Sequence, residues 1–459
     1  MTEGFLLADP PVSTLDDYLA EGGGAGLARA RELGPFQIIE EVNLAGLRGR
    51  GGAGFRTGVK WLSVQRGGGR HHYVVCNAAE GEPATFKDRA LLRSNPYQVV
   101  EGLVIAGIAV EAREGFLAVK ASFEREHEAV ERAVEEMSEA GLLGGLPVRV
   151  VTGPEEYLFG EEKALLEVIE GNDPLPRWMP PYLHGLFATA PQLGWEAHDH
   201  EAGHHGEHAA NPTLVNNAET LANVPHILMN GAEWFRSMGT PDSPGTVVCT
   251  VVGDAERPGV VEVEMGTPLR EVLERCGAPR PGREVRAVFS GISNPVLTAE
   301  QLDTPLSYEA MEATGSGLGS AGFVVYDDTA CMVKVARVLS RFLYVESCGQ
   351  CPPCKFGTGE ITDALDRIAT GRGDQAQLDR IHERLTTVTD ANRCYLPVEE
   401  QRVISSILRA FPEDFVAHLE GACPRPREIP IPKIVDLTSN GVVYDTRQAT
   451  KRPDWTYPD

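Results

Sequence analysis

The strongest chemical signal in the chain is Cys348-Gly-Gln-Cys351-Pro-Pro-Cys354, followed forty residues later by Cys394. Three thiols spaced two residues apart on a tight loop can turn inward and hold three corners of a cuboidal iron–sulfur cluster, the fourth ligand arriving from a distant segment. Zinc is the competing reading. It usually takes paired C-x2-C units, or cysteine with histidine, whereas here the third cysteine has no nearby fourth and no second pair follows. Of the other five cysteines, Cys76, Cys249, Cys276 and Cys331 lie in or beside apolar runs and read as core residues. Cys423 stays open. Nine cysteines, an odd number with four in a ligand pattern, read as metal ligands of a reducing compartment rather than as disulfides.

A second signal is the glycine-rich stretch Leu47–Trp61, LRGRGGAGFRTGVKW. Gly49, Gly51 and Gly54 satisfy G-x-G-x-x-G, a weak match by itself. A dinucleotide fingerprint follows a strand directly, and the preceding Phe36–Leu47 reads as a helix. A loop free of Cβ atoms still lets backbone N–H groups approach a phosphate or a flat ring. Arg50, Arg56 and Lys60 add positive charge. An ordinary flexible loop is the bland alternative.

Three further segments carry polar groups at ends of predicted elements. Cys76-Asn77-Ala-Ala-Glu80-Gly-Glu82-Pro falls at the carboxyl end of a predicted strand, where open α/β sheets bind ligands. Tyr157-Leu-Phe-Gly160-Glu161-Glu162 opens a helix, whose N-terminus favours anionic groups. Asn216-Asn217-Ala-Glu219-Thr220 opens another, and its paired asparagines read equally well as helix caps.

Elements able to position these groups follow from the apolar periodicity. His72–Cys76, Phe116–Ala121 and Pro147–Thr152 read as strands, interleaved with helices over Pro96–Glu111, Glu124–Ala140 and Glu161–Ile169. This alternation predicts an α/β domain with a parallel sheet and right-handed crossovers, residues 1–240. TPDSPG after Gly239 reads as a linker. Thr246–Val252 and Gly259–Glu264 form a hairpin signal, followed by a short helix at Pro268–Cys276 and a strand at Arg283–Ser290. The expectation is a β-grasp domain over 241–325. Helices at Thr329–Glu346, Gly357–Thr370, Gln375–Ala391 and Val398–Leu419 predict a helical bundle over 326–425. A Pro-rich tail over 426–459 should be extended.

The 459 residues are 42% hydrophobic and 24% charged, ordinary for a globular protein. A net charge of −24 argues against nucleic acid or an anionic membrane surface as partner. The start reads as no signal peptide. The longest apolar region, Val99–Val110, is interrupted by Glu101 and too short to span a bilayer. The expectation is a cytoplasmic chain with no direct membrane insertion.

Together the four segments and the cysteine set closely resemble the NADH-binding flavoprotein subunit of respiratory complex I, a family that includes the diaphorase subunits of NAD-linked hydrogenases and formate dehydrogenases. The resemblance runs from Phe36 to Cys423, in order and at the family's spacing. It implies a Rossmann-like FMN-binding domain, a soluble-ligand-binding β-grasp domain and a helical iron–sulfur domain, with FMN, NAD(H) and one [4Fe–4S] cluster as cofactors. FMN contacts are implied at Gly49, Gly51, Lys60, Asn77, Glu80, Tyr157, Gly160, Glu161, Glu162, Asn216, Asn217 and Thr220. NADH is implied to meet Phe55, Lys60 and Glu82, with Tyr182 stacking on adenine. The cluster ligands implied are Cys348, Cys351, Cys354 and Cys394. No residue is expected to act as an obligatory acid or base; Glu82 orients the nicotinamide. Flavin is the converter such chemistry needs, because a hydride carries two electrons and a cluster accepts one. Implied partners are a small thioredoxin-like [2Fe–2S] protein and further redox subunits.

Several positions depart from the family. Ala79 stands where it usually has Asp, Arg56 where it has Pro, Ala84 where a glycine follows Glu82-Pro83, and Pro352 where the cluster loop more often has Thr. Ser63 replaces a frequent aromatic. An apparent insertion over 192–210 carries His198, His200, His204, His205 and His208, a solvated loop or a Zn/Ni site. These changes motivate a rival expectation, a non-catalytic scaffold that keeps the cluster but has lost FMN or NADH.

Overall fold

A computed structural model describes residues 4–69, 71–190, 209–421, 423–438 and 441–458. The histidines of the 192–210 insertion lie outside the described residues. The chain divides into two compact units. The first comprises Met1–Glu80, Lys87–Glu155 and Phe159–Val247; the second takes Val248–Asp459 together with the short segments Gly81–Phe86 and Glu156–Leu158. Among the described residues no helix is long and apolar enough to cross a membrane.

The first unit is built on four strands, β1 (His72–Asn77), β2 (Ala112–Lys120), β3 (Val148–Gly153) and β4 (Thr213–Asn217). They lie in the order β3-β2-β1-β4, every neighbouring pair parallel. Tyr73–Cys76 of β1 are buried, the near-continuous apolar run of a strand covered on both faces. The fourth strand is a correction to the three expected: TLVNN, five residues long, carries no strand periodicity and reads in sequence only as the lead into a helix. The helix Pro96–Ala109 is buried almost all round, including Glu101. That carboxylate is satisfied by the Tyr18 hydroxyl and the Gly24 and Leu27 amides at 2.6, 2.7 and 2.8 Å, which is what makes its burial tolerable. Gly102 lets this helix pack closely on Ala218–Asn230; a Cβ there would sit 2.0 Å from the Leu221 carbonyl oxygen.

The second unit holds a five-stranded sheet of β5 (Thr246–Gly253), β6 (Gly259–Glu264), β7 (Val285–Ser290), β8 (Leu297–Thr298) and β9 (Gly322–Asp327), in the order β6-β5-β9-β7-β8. β5 and β9 are parallel, and β7 is antiparallel to both β8 and β9. A parallel central pair reached through the helix Leu269–Arg275 is the β-grasp arrangement, with β8 and β9 the strands the sequence reading lacked.

Five helices follow rather than four: Met332–Glu346, Pro352–Ala369, Gln375–Thr387, Leu396–Ala410 and Pro412–Leu419. The expected Val398–Leu419 helix is broken at Phe411, because Pro412 cannot continue the hydrogen-bond ladder and instead starts a new helix. The second helix begins at Pro352, five residues before the expected Gly357, since prolines fit a first turn that needs no N–H. The tail is extended as expected over its proline-rich start, but then forms a small antiparallel hairpin of β10 (Ile434–Thr438) and β11 (Gly441–Tyr444) and a 3-10 turn at Thr446–Ala449.

Candidate functional site

The strand order of the first unit reverses at β1, which runs between β2 and β4. Chains leaving β1 and β4 therefore diverge, opening a crevice at their carboxyl ends, the place where open α/β sheets bind ligands. Asn77 and Asn217, the last residues of the two strands, are register partners across it. Asn77 donates its amide to the Gly160 carbonyl oxygen at 2.7 Å and accepts from the Ala79 amide at 3.2 Å. Asn217 caps the helix Ala218–Asn230 by accepting from the Glu219 amide at 3.0 Å, so the capping role read from sequence holds. Its amide nitrogen donates to Asp88 at 2.7 Å. Asn216 accepts from the Trp61 indole at 2.8 Å.

The glycine loop meets this crevice from the other side. Gly51 packs on Asn217, a Cβ being only 3.1 Å from that residue's own, and the Arg50 amide donates to the Thr220 hydroxyl at 2.8 Å. Gly52 and Gly54 have φ of 121° and 61°, open to glycine at little cost. Lys60 reaches Glu162 at 2.8 Å. Four segments separated by up to 170 residues thus converge on one strand edge, with Gly49, Gly51, Lys60, Asn77, Glu80, Gly160, Glu161, Glu162, Asn216, Asn217 and Thr220 all in the first unit. Phe55 and Tyr182, also in this unit, are exposed at 57% and 40%. Arg50 is buried, its guanidinium held by the Arg48 and Pro244 carbonyls, while Arg56 is exposed and Lys60 half-buried.

Beneath the crevice lies a buried charge network. Lys87 contacts Asp88 at 2.7 Å and Glu219 at 3.0 Å, and Arg89 contacts Glu80 at 3.0 Å. Burial works to strip the Lys87 proton, but Asp88, Glu219 and Glu80 outweigh it and hold the ammonium above its usual range. Burial, reinforced by Asp88, pushes the Glu80 carboxyl up. Burial also pushes Glu161 up to about 7; that side chain caps the helix Glu162–Ile169, accepting from the Lys163 and Ala164 amides.

Glu82 and Tyr157 belong to the second unit. Glu82 accepts from the Ile292 amide at 3.0 Å and from the hydroxyls of Ser293 and Ser320. Tyr157 donates its hydroxyl to Glu399 at 2.9 Å, while its amide donates to Glu346 at 3.0 Å. Burial raises the Tyr157 phenol and, with the Glu82 charge adding, pushes Glu399 up to about 8.

The cysteine turn spans two helix ends. Ser347 closes Met332–Glu346, Cys351 is the N-cap of Pro352–Ala369, and Cys354 lies in that helix's first turn. Gly349, at φ 82°, turns the loop. Burial pushes Cys354 up to about 12, with the neighbouring thiols adding to it, and raises Cys348. Cys348 and Cys354, so raised, are poor isolated thiolates and become good ligands once metal charge compensates them.

The family described as the Nuo51 FMN-binding domain matches residues 42–226, the SLBB domain matches 248–289, and the NADH-ubiquinone oxidoreductase-F iron-sulfur binding region matches 334–418. The chain is 37% identical to the second of the NADH-quinone oxidoreductase F subunits of Rhizobium meliloti, over 90% of this chain and 97% of that protein. It is 36% identical to the NADP-reducing hydrogenase subunit HndC of Solidesulfovibrio fructosivorans, over 92% of this chain and 83% of that one. The chain belongs to the family of NADH-quinone oxidoreductase F subunits. Among solved structures, an NAD+-reducing [NiFe]-hydrogenase in the H2-reduced state superposes with TM-score 0.75 at 32% identity, covering 89% of this chain and 67% of that one. None of these comparisons supports the scaffold reading.

The residues present fit the family's cofactors. A Cβ-free loop backed by strand ends suits a phosphate and a flat ring, and three cysteines at C-x2-C-x2-C spacing with a distant fourth suit an iron–sulfur cluster. Ala79 does not leave a hole. Its side chain is 1% exposed within a cluster of Val75, Phe159, Leu165 and Val215. Ser293, Ser320 and Glu399 carry no signal in the sequence. They hydrogen-bond Glu82 and Tyr157, partners 211, 238 and 242 positions away, and no local pattern marks such pairs.

Proposed function

We propose that this chain, like the family it belongs to, oxidises NADH, receiving hydride on FMN and releasing electrons singly to one [4Fe–4S] cluster held by Cys348, Cys351, Cys354 and Cys394. FMN supplies the exchange between two-electron and one-electron chemistry. The convergence of the glycine loop, Asn77, Gly160 and Asn217 on the reversal in strand order carries this reading. The glycine backbone and Lys60 bind the phosphate; Asn77, Asn216, Asn217 and Thr220 fix the edges of the cradle. Phe55 and Tyr182 stack on the nucleotide, and Glu82 orients the nicotinamide, which is a positioning task worth a large part of the rate. No side chain is required to take or give a proton.

The division is into an FMN/NADH part over 1–240, a β-grasp part over 241–325, a cluster part over 326–425 and a tail. A multi-subunit setting follows from the family. Within it we assign the cluster's electrons to a small [2Fe–2S] thioredoxin-like protein, in the cytoplasm. The test uses the purified full chain with its cofactors. It should release one FMN per chain on acid treatment, bleach under NADH without oxygen, and reduce ferricyanide. Lys60→Ala and Glu82→Gln should each cut the NADH–ferricyanide rate at least tenfold with the cluster spectrum unchanged, and Cys394→Ala should lose the cluster signal. Protein that holds iron but yields no FMN would sink the proposal.

A further inference from the structure

Cys331 and Cys423, which lie outside the four-cysteine set, are brought together with His418. The Cys331 sulfur, the His418 ring nitrogen and the Cys423 sulfur all lie within 4.8 Å of one another. We propose that these three residues form a second metal site, taking one zinc ion.

The trio is distant from the cysteine turn. Cys331 is the N-cap of the helix Met332–Glu346, and the turn begins at that helix's far end. Fifteen residues at a rise of about 1.5 Å each put roughly 22 Å between them. The two sites therefore cannot share a metal.

His418 is set as a ligand is set. Its Nδ1 lies 3.1 Å from the Ile368 carbonyl oxygen and donates to it. The lone pair is thereby placed on Nε2, which faces the Cys331 sulfur at 3.2 Å. A histidine held by a carbonyl on one nitrogen and turned toward thiols with the other is the arrangement that orients metal-binding imidazoles. Cys331 and His418 are 0% and 3% exposed, while Cys423 is half-buried. The Cys423 thiol donates to the Arg425 carbonyl oxygen at 3.1 Å.

The donor set selects the ion. Two sulfurs and one imidazole suit zinc, whose bond lengths of about 2.3 Å to sulfur and 2.0–2.1 Å to nitrogen keep tetrahedral ligand atoms about 3.5–3.8 Å apart. The trio needs to close by about 1 Å at most. Two thiolates balance the dication. Among the described residues no fourth His, Cys, Asp or Glu joins the trio, so water completes the tetrahedron. The site would pin the start of the tail at Cys423 to two helices. Beyond it, Arg425 pairs with Asp414 at 2.9 Å and Lys334 holds the Pro426 carbonyl at 2.7 Å.

Elemental analysis of the purified holoprotein, washed with a weak chelator, tests this. One zinc per chain is expected beside the cluster iron. Cys348→Ala should lose iron and keep zinc. His418→Gln and Cys423→Ser should each drop zinc below a tenth of its wild-type content with iron and FMN retained; Cys423 is half-exposed, so its variant is the one least able to disturb folding. Cobalt(II) loaded into zinc-depleted protein should give an intense visible band and a sulfur-to-metal charge-transfer band, both missing in Cys423→Ser. Wild-type protein free of zinc, zinc retained in both variants, or iron lost with Cys423→Ser would each overturn the proposal.

Discussion

The Ser293 hydroxyl donates to the Glu82 carboxylate at 2.9 Å across 211 positions of sequence. Ser320 and the Ile292 amide hold the same group, and Gly291, at φ 62°, leaves the space, since a Cβ there would lie 2.0 Å from the carboxylate. Glu82 is thus aimed by its neighbours rather than by its own short loop.

If Glu82 orients the nicotinamide, loosening it should cost activity without touching iron. A hydrogen bond to a charged group contributes about 1.5–3 kcal/mol, and part of that is retained when two donors remain. Ser293→Ala and Ser320→Ala should each lower kcat/KM for NADH by roughly 3- to 30-fold, the double variant approaching Glu82→Gln. Steady-state kinetics with ferricyanide read this; wild-type kinetics in the double variant would remove Glu82 from the nucleotide site.

Ala84 stands where the family prefers glycine, and its φ is 72°. A side chain in the left-handed region costs about 1–2 kcal/mol, part of which glycine returns through its larger unfolded-state entropy. Ala84→Gly should therefore stabilise the protein by about 0.5–1 kcal/mol, read as a higher melting temperature. A fall would show that the surrounding contacts, not the backbone, set this position.

Glu400 is fully buried, accepts from the Ser340 hydroxyl at 2.6 Å, and is pushed up to about 8 by that burial. The folded chain keeps the proton to about pH 8, whereas the unfolded chain releases it near about pH 4.3. Between those values the native state binds more protons, so stability is greatest at the acid end and falls as pH rises. Glu399 behaves alike. Denaturant midpoints of apoprotein should decline from about pH 5 to about pH 8.5, and Glu400→Gln should flatten the decline by a few kcal/mol, each pKa unit being about 1.4 kcal/mol. A slope unchanged by the substitution would contradict the assignment.

Lys451, near the end of the chain, is buried against Glu346 at 2.9 Å, and both are 0% exposed. Burial opposes the Glu346 charge, but Lys451 and the Tyr157 amide outweigh it and keep that carboxyl below the usual range. Removing one partner strands the other, at about 3–5 kcal/mol. Lys451→Met should destabilise by that amount, and Glu346→Gln in the same chain should restore most of it. Chemical denaturation of the single and double variants decides the matter.

Much of this was written in the sequence. The cysteine spacing named the cluster, the glycine stretch marked a candidate ligand loop, and the alternation of apolar runs pointed to a parallel α/β sheet, because each signal lives within a few turns or strands of chain. Five-residue β4 escaped, being too short for periodicity to register, and Pro412 divided a helix that looked continuous. What only the tertiary structure decided is which distant residues meet: Asn77 with Asn217 at the crevice, Glu82 with Ser293 and Ser320, Cys331 with His418 and Cys423. Such pairings depend on the path of the whole chain. They are fixed by packing and buried hydrogen bonds between segments that carry no pattern pointing to one another.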